Sequence, residues 1–159
     1  MLLGGEDAMN VLNMYFINKS TCAIIPIDSG SCEVIELNNS YKVSKSAKEV
    51  IDSSCRYFGS SYQGRFDGSK RILNMNYKLP IIIEEFHNLI FFPTSSPRGG
   101  QCIWLSLNNL SVYEKLDNGS RIVFKDDRKL DLDISYYSLE NQIFRATMLE
   151  SLIRKRINE

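Results

Sequence analysis

Two amphipathic patterns meet at a single glycine within residues 46–73, and no other stretch constrains the fold so tightly. Ser46-Ala47-Lys48-Glu49 has the form of a capping box, in which serine and glutamate side chains satisfy reciprocal backbone donors. Ala47, Val50, Ile51, Ser54, Cys55 and Phe58 then fall on one stripe of a 3.6-residue period. Arg56 lies off that stripe, one turn after Asp52, where an intrahelical ion pair contributes about 0.2–0.5 kcal/mol. Gly59 ends the first helix. Ser60-Ser61-Tyr62-Gln63 offers a second capping box, and Tyr62, Phe66, Ser69 and Leu73 form the next buried stripe. Gly64 and Gly68 lie on a different face of this second helix, beside Ser61, Arg65 and Arg71. Each interior glycine costs about 1 kcal/mol relative to alanine. That cost points to close packing, against another element or a phosphate backbone, or else to a helix that its glycines cut short. The serine-capped N-terminus also presents free amides and positive dipole character to an anion.

The rest of the chain reads mainly as strands. Residues 11–17 and 21–27 flank the turn-like Asn18-Lys19-Ser20 and read as a hairpin. Residues 32–37 alternate, and Asn38-Asn39 turns them into 41–43. The apolar run 81–83 is a buried strand whose hairpin partner, 89–92, returns across the turn at 85–88. Residues 94–101 form a flexible loop centred on Arg98, and strand 102–107 holds the sole tryptophan, Trp104. Strands 110–116, 121–125 and 130–134 continue as an antiparallel meander. A final helix, capped by Ser138, carries the stripe Leu139, Ile143, Ala146, Leu149, Ile153 and Ile157. The fold class is therefore α+β: an antiparallel sheet or meander, two adjacent short central helices and a C-terminal amphipathic helix. At 159 residues the chain suits one domain spanning 1–159, with a disordered tail expected over 1–10 and an alternative start at Met9.

Several chemistries are unsupported. The four cysteines contain no CxxC pair and there is one histidine, so no metal site is expected. Cys22, Cys32, Cys55 and Cys102 all sit among apolar residues, as reduced thiols of a cytoplasmic protein do. Arg98-Gly99-Gly100 lacks the lysine and serine of a phosphate loop, and no nucleophile elbow is present. His87 falls in a turn, and the neighbouring pairs Glu84-Glu85 and Asp126-Asp127 diverge, so no catalytic pair and no cofactor is expected. No apolar run approaches the roughly 20 residues needed to cross a bilayer. The N-terminus lacks the basic region of a signal peptide.

Charge is the informative quantity. The formal net charge is zero, but residues 41–80 hold Lys42, Lys45, Lys48, Arg56, Arg65, Lys70, Arg71 and Lys78 against Glu49, Asp52 and Asp67. Attraction to a polyanion depends on local density rather than on the total. The same bias also suits solvated helix faces, or a protein-interaction module whose basic helices contact an acidic partner or pack inside an oligomer.

Four blocks in order, SSCRYFGSSYQGR (53–65), YKLPIII with IFFPT (77–83 and 90–94), QCIWLS (101–106) and DISYYSLENQIFR (133–145), resemble the ComK competence transcription factors. The resemblance implies a transcription activator located on the nucleoid. It implies binding to double-stranded DNA at paired A-rich and T-rich boxes, approach through the minor groove, and a homodimer or tetramer on DNA. Control of DNA-uptake genes would follow. A longer C-terminal tail in this family is linked to an adaptor of the Clp protease. The present sequence ends at Glu159, so that partner is left open. Charge placement, rather than the resemblance, nominates Arg56, Arg65, Lys70 and Arg71 for DNA contact, with Ser60 and Ser61 at the capped helix start and Lys78 and Arg98 in a second rank.

Overall fold

The computed structural model describes residues 10–159. The expected tail and the start at Met9 lie outside them, apart from Asn10, whose carbonyl accepts the Lys42 amide at 3.0 Å. The strands are β1 (Val11–Leu12), β2 (Thr21–Asp28), β3 (Ser31–Glu36), β4 (Asn39–Val43), β5 (Ile81–Glu84), β6 (Leu89–Pro93), β7 (Trp104–Ser106), β8 (Leu110–Lys115), β9 (Ser120–Phe124) and β10 (Lys129–Leu132). The helices are α1 (Ala47–Tyr57) and α2 (Tyr62–Leu73), which lie between β4 and β5, and the terminal α3 (Tyr136–Ile157). A seven-stranded sheet runs β1-β4-β3-β2-β7-β6-β5, and a separate three-stranded meander runs β10-β9-β8. All pairings are antiparallel except β1 with β4.

The large sheet is covered on both faces, so its strands are apolar on both sides. With a period of two, Ile24, Ile81, Ile83, Phe91 and Trp104 point to the face under α1 and α2. Ala23, Ile82, Ile90, Phe92 and Leu105 point the other way, to β9 and α3. The molecule is thus three layers deep, and the α+β class read from the sequence holds. The layers are also bolted by polar contacts. Asp126, almost fully buried, accepts the Asn38 amide at 2.9 Å and the Arg128 Nε at 2.8 Å. Arg128 in turn donates to the carbonyls of Glu36 and Asn39. This ties the β9–β10 turn to the β3–β4 turn. Asn109 donates to the carbonyls of Lys19 and Thr21 at 2.9 and 2.8 Å.

Three expectations are corrected. The hairpin of 11–17 with 21–27 does not form, because β3 and β7 occupy both edges of β2. Tyr15 and Ile17 are drawn into the core instead, where the Ile17 amide donates to Ser54 Oγ at 3.0 Å and the Tyr15 hydroxyl meets Thr21 Oγ1 at 2.7 Å. Strand 102–107 shortens to β7 and inserts between β2 and β6 rather than opening the meander. The cap of α3 is Ser135, whose Oγ accepts the Ser138 amide at 3.1 Å, so the helix begins one turn early. Its apolar stripe is buried from Leu139 to Leu149, while Ile157 is exposed.

Gly119 has φ +101°, and an added Cβ would lie 2.2 Å from the Leu132 carbonyl oxygen. Gly119→Ala is expected to destabilise the fold by about 1–3 kcal/mol or more in urea titration. All four cysteines are free and buried. Burial pushes the Cys22 thiol up to about 11 and those of Cys32 and Cys55 to about 12. A thiol-reactive dye at pH 8 should label none in the native protein and four after denaturation. Because the fold holds the protonated thiols, this contribution is complete below the ordinary thiol value of about 8.5 and is lost as pH rises toward 11–12.

Candidate nucleic-acid interface

The α1–α2 junction is built from its capping residues outward. Ser46 Oγ accepts the Glu49 amide at 3.1 Å, but the Glu49 carboxylate returns to Ser46 Oγ rather than to the backbone. At the other end of α1, Gly59 takes φ +90°, with its amide on the Arg56 carbonyl and the Ser60 amide on the Cys55 carbonyl. This pair of bonds is a Schellman closure, which needs a left-handed residue at that point. The cap of α2 is Ser61, one residue later than the capping-box spacing predicts. Its Oγ accepts the Gly64 amide at 3.0 Å, and Gln63 bonds Asp67 instead of closing a box.

Asp52 decides what the start of α2 can do. One carboxylate oxygen accepts the Tyr62 amide at 2.9 Å and the other accepts Arg56 Nε at 2.8 Å. The Tyr62 amide, followed by Arg56, holds the Asp52 carboxyl below the usual range. The expected open anion site at this helix start is therefore already occupied by an internal carboxylate and by Ser61.

The interior glycines do not serve close packing within the chain. A Cβ on Gly68 would meet nothing within 4 Å, and one on Gly64 would meet only the hydroxyls of Ser60 and Ser61. Nor do they shorten α2, which runs on to Leu73 and ends at left-handed Asn74. At about 100° per residue, Gly64, Gly68 and Arg71 form an exposed crest, Gln63 and Lys70 lie on one flank, and Arg65 lies on the other. Arg65 is turned inward: its side chain is 18% exposed and its Nη1 pairs with Glu85 at 2.6 Å. Arg56 stays in solvent, paired with Asp52.

On the Gln63 flank, four separate segments form a groove of about 460 Å³. Lys48, from the first turn of α1, stands 5.8 Å over the Tyr62 ring, which is set edge-on to Trp104. Phe66 and Gln63 supply the α2 wall. The opposite rim is Asn76-Tyr77-Lys78, and the end is closed by Ser96, Pro97 and Arg98 at a single 3-10 turn, Pro97–Gly99. The rim is held from the far layer. Buried Gln142 of α3 donates to the carbonyls of Lys78 at 2.9 Å and Pro93 at 2.7 Å. Arg145 donates to the Tyr77 carbonyl at 3.0 Å and stacks 5.3 Å over its ring. Lys78 itself is left-handed, with φ +51°.

Of the nominated residues, the structure brings Lys78 and Arg98 together in this groove, with Lys70 one turn beyond Phe66. Arg71 is on the crest, and Ser60, Ser61 and Arg56 are at the α1–α2 junction. Among the described residues, Lys48, Lys70, Arg71, Lys78 and Arg98 pair with no carboxylate. Sequence reasoning missed Lys48, Gln63, Asn76 and Tyr77 as site residues. The only available signal was Lys48, exposed within the basic run. A second depression of similar volume is lined by Asp131 and Asp133 and suits no polyanion.

Two further observations hold for the described residues alone. No cluster of His, Cys, Asp and Glu could hold a metal, and no helix is long and apolar enough to cross a membrane. His87 bonds Glu84 at 2.9 Å in the β5–β6 turn.

Comparison with known proteins agrees with the four blocks. A family model described as "ComK protein" matches residues 12–158. The competence transcription factor of Bacillus subtilis (strain 168) is 32% identical over 151 residues, covering 92% of this chain and 79% of that protein. No solved structure matches. With the match running nearly end to end, from Leu12 of β1 through all three helices, the chain belongs to the ComK family.

Proposed function

We propose that this ComK protein activates transcription by laying the α2 crest and its flanking groove against the phosphate ridges of A/T-rich DNA, entering through the minor groove. ComK proteins are DNA-binding transcription factors of the bacterial nucleoid rather than catalysts, and this coarser role comes with family membership. The observation that carries the finer reading is the groove itself. It gathers Lys48, Lys78 and Arg98, which pair with no carboxylate among the described residues, around the amides of Gln63 and Asn76. A-tracts narrow the minor groove and concentrate negative potential, which attracts cations placed at its edges. Few base contacts are needed to tell A·T from G·C there, and amide side chains can supply them. The bare crest at Gly64 and Gly68 lets the helix backbone approach a sugar-phosphate strand closely. Paired boxes would engage two or four copies of the chain, and competence genes are the natural target by relationship.

The reading fixes a hierarchy among the nominated cations. Lys48, Lys70, Arg71, Lys78 and Arg98 are free to meet phosphate, whereas Arg56 and Arg65 must first leave Asp52 and Glu85.

The test is a salt titration of binding to duplexes carrying paired A/T boxes, read by fluorescence anisotropy. Removing one cation from a phosphate lowers the slope of log K against log salt by about 0.9. Lys48→Ala and Arg98→Ala should each do so, while Arg56→Ala should leave the slope unchanged. Equal affinity for A/T-box and G·C-rich duplexes at moderate salt would sink the proposal. A separate outcome concerns the crest. Gly68→Ala should raise stability by about 1 kcal/mol, since the methyl meets open space in a helix interior, yet weaken DNA binding. Unchanged binding by the stabilised variant would remove the crest from the interface.

A further inference from the structure

The side of α3 turned away from the sheet exposes three large apolar side chains among its polar ones. Tyr137, Phe144 and Met148 are 72%, 56% and 46% exposed, and with Asn141, Ser151 and Lys155 they form one outward line. Their spacing along the chain is four, three, four, three, four, the seam spacing of a two-helix coiled coil. That series is the same read from either end. An antiparallel copy of α3, with its two-fold axis at Ala146, therefore sets Phe144 against Met148, Asn141 against Ser151 and Tyr137 against Lys155. Each pairing is chemically matched: thioether on ring, amide with hydroxyl, and ammonium over an aromatic face.

Charge selects the same occupant and the same direction. The N-terminal end of α3 is flanked by Asp133 and carries Glu140, whereas its C-terminal end carries Arg154, Lys155 and Arg156 against Glu150 and Glu159, so the two ends differ in net sign. Antiparallel pairing brings opposite ends together and opposes the helix dipoles. Parallel pairing would stack the two basic ends. Among the described residues no element covers the line, because α3 buries the reverse side, Leu139, Ile143, Ala146 and Leu149, in the core shared with β6 and the end of α2.

We infer that the outward line of α3 is the dimer interface of this protein, an isologous antiparallel helix pair formed by a second copy of the chain. The use of that dimer on paired DNA boxes rests on the function proposed above; the interface itself does not. The groove's rim at Tyr77 and Lys78 is gripped by Arg145 and Gln142, which lie on the flank and the reverse side of α3 rather than on its outward line.

The test is made without DNA, so its failure is distinct from failure of the DNA reading. Tyr137→Cys and Lys155→Cys chains are prepared separately, mixed, and treated with a short bismaleimide. The native thiols are buried and contribute little background. The mixture is expected to give a covalent dimer that neither variant gives alone, since two copies of residue 137 would stand about 27 Å apart. Phe144→Glu with Met148→Glu should convert the dimer to monomer in sedimentation while the circular dichroism stays native, because both side chains are exposed. A cross-link of Tyr137→Cys with itself would overturn the antiparallel register. A dimer that survives the double glutamate variant, or a wild-type monomer at tens of micromolar, would overturn the interface.

Discussion

The seven-stranded sheet must be buried on both faces, and the other elements are arranged to satisfy that demand. Ile81-Ile82-Ile83 and Ile90-Phe91-Phe92 have no polar side to offer, so neither face can meet water. Covering one face takes both α1 and α2, with the crossing segment of Tyr15 and Ile17 filling the gap near Ser54. Covering the other takes α3 together with the small meander. The short β7 is the keystone, since Trp104 and Leu105 belong to opposite cores while their backbone joins the β2 half of the sheet to the β6 half.

That demand also explains where functional surface is left over. Once α2 buries Tyr62, Phe66, Ser69 and Leu73, it has a crest with nothing to pack, and there the chain places glycine and arginine. Internal carboxylates then sort the cations. Asp52 and Glu85 engage Arg56 and Arg65 and give structure, leaving the lysines and Arg98 for solvent or a ligand. Charge count along the chain does not reveal this sorting, because the Arg65 partner is twenty residues away on a hairpin turn.

Legibility in the sequence follows the range of the interactions. Both central helices, their glycine junction and the stripe Ala47–Cys55 are readable because helix period and caps are local. Errors at Ser60 versus Ser61 and Ser138 versus Ser135 are shifts among neighbouring serines, each an equally good cap until tertiary contacts choose. The false hairpin at 11–17 has the right residues for a strand, but β2 has no free edge, and that competition is invisible locally. The groove is the least legible feature. Its walls come from residues 48, 62–66, 76–78 and 96–98, and only folding the sheet brings them together. Charge alone nominates Lys78 and Arg98, and nothing in their local sequence foretells that they face each other.

The Gln142 contacts carry a consequence for how portable this surface is. One amide from the layer beneath satisfies the carbonyls of Lys78 and Pro93 and, with Arg145 on the Tyr77 carbonyl, sets the pose of the rim's backbone turn. The groove is therefore not a module that a peptide spanning α1 and α2 could carry to another scaffold. Its rim is preorganised by a helix more than sixty residues downstream, and the entropy of ordering it is spent when the chain folds rather than when a ligand arrives.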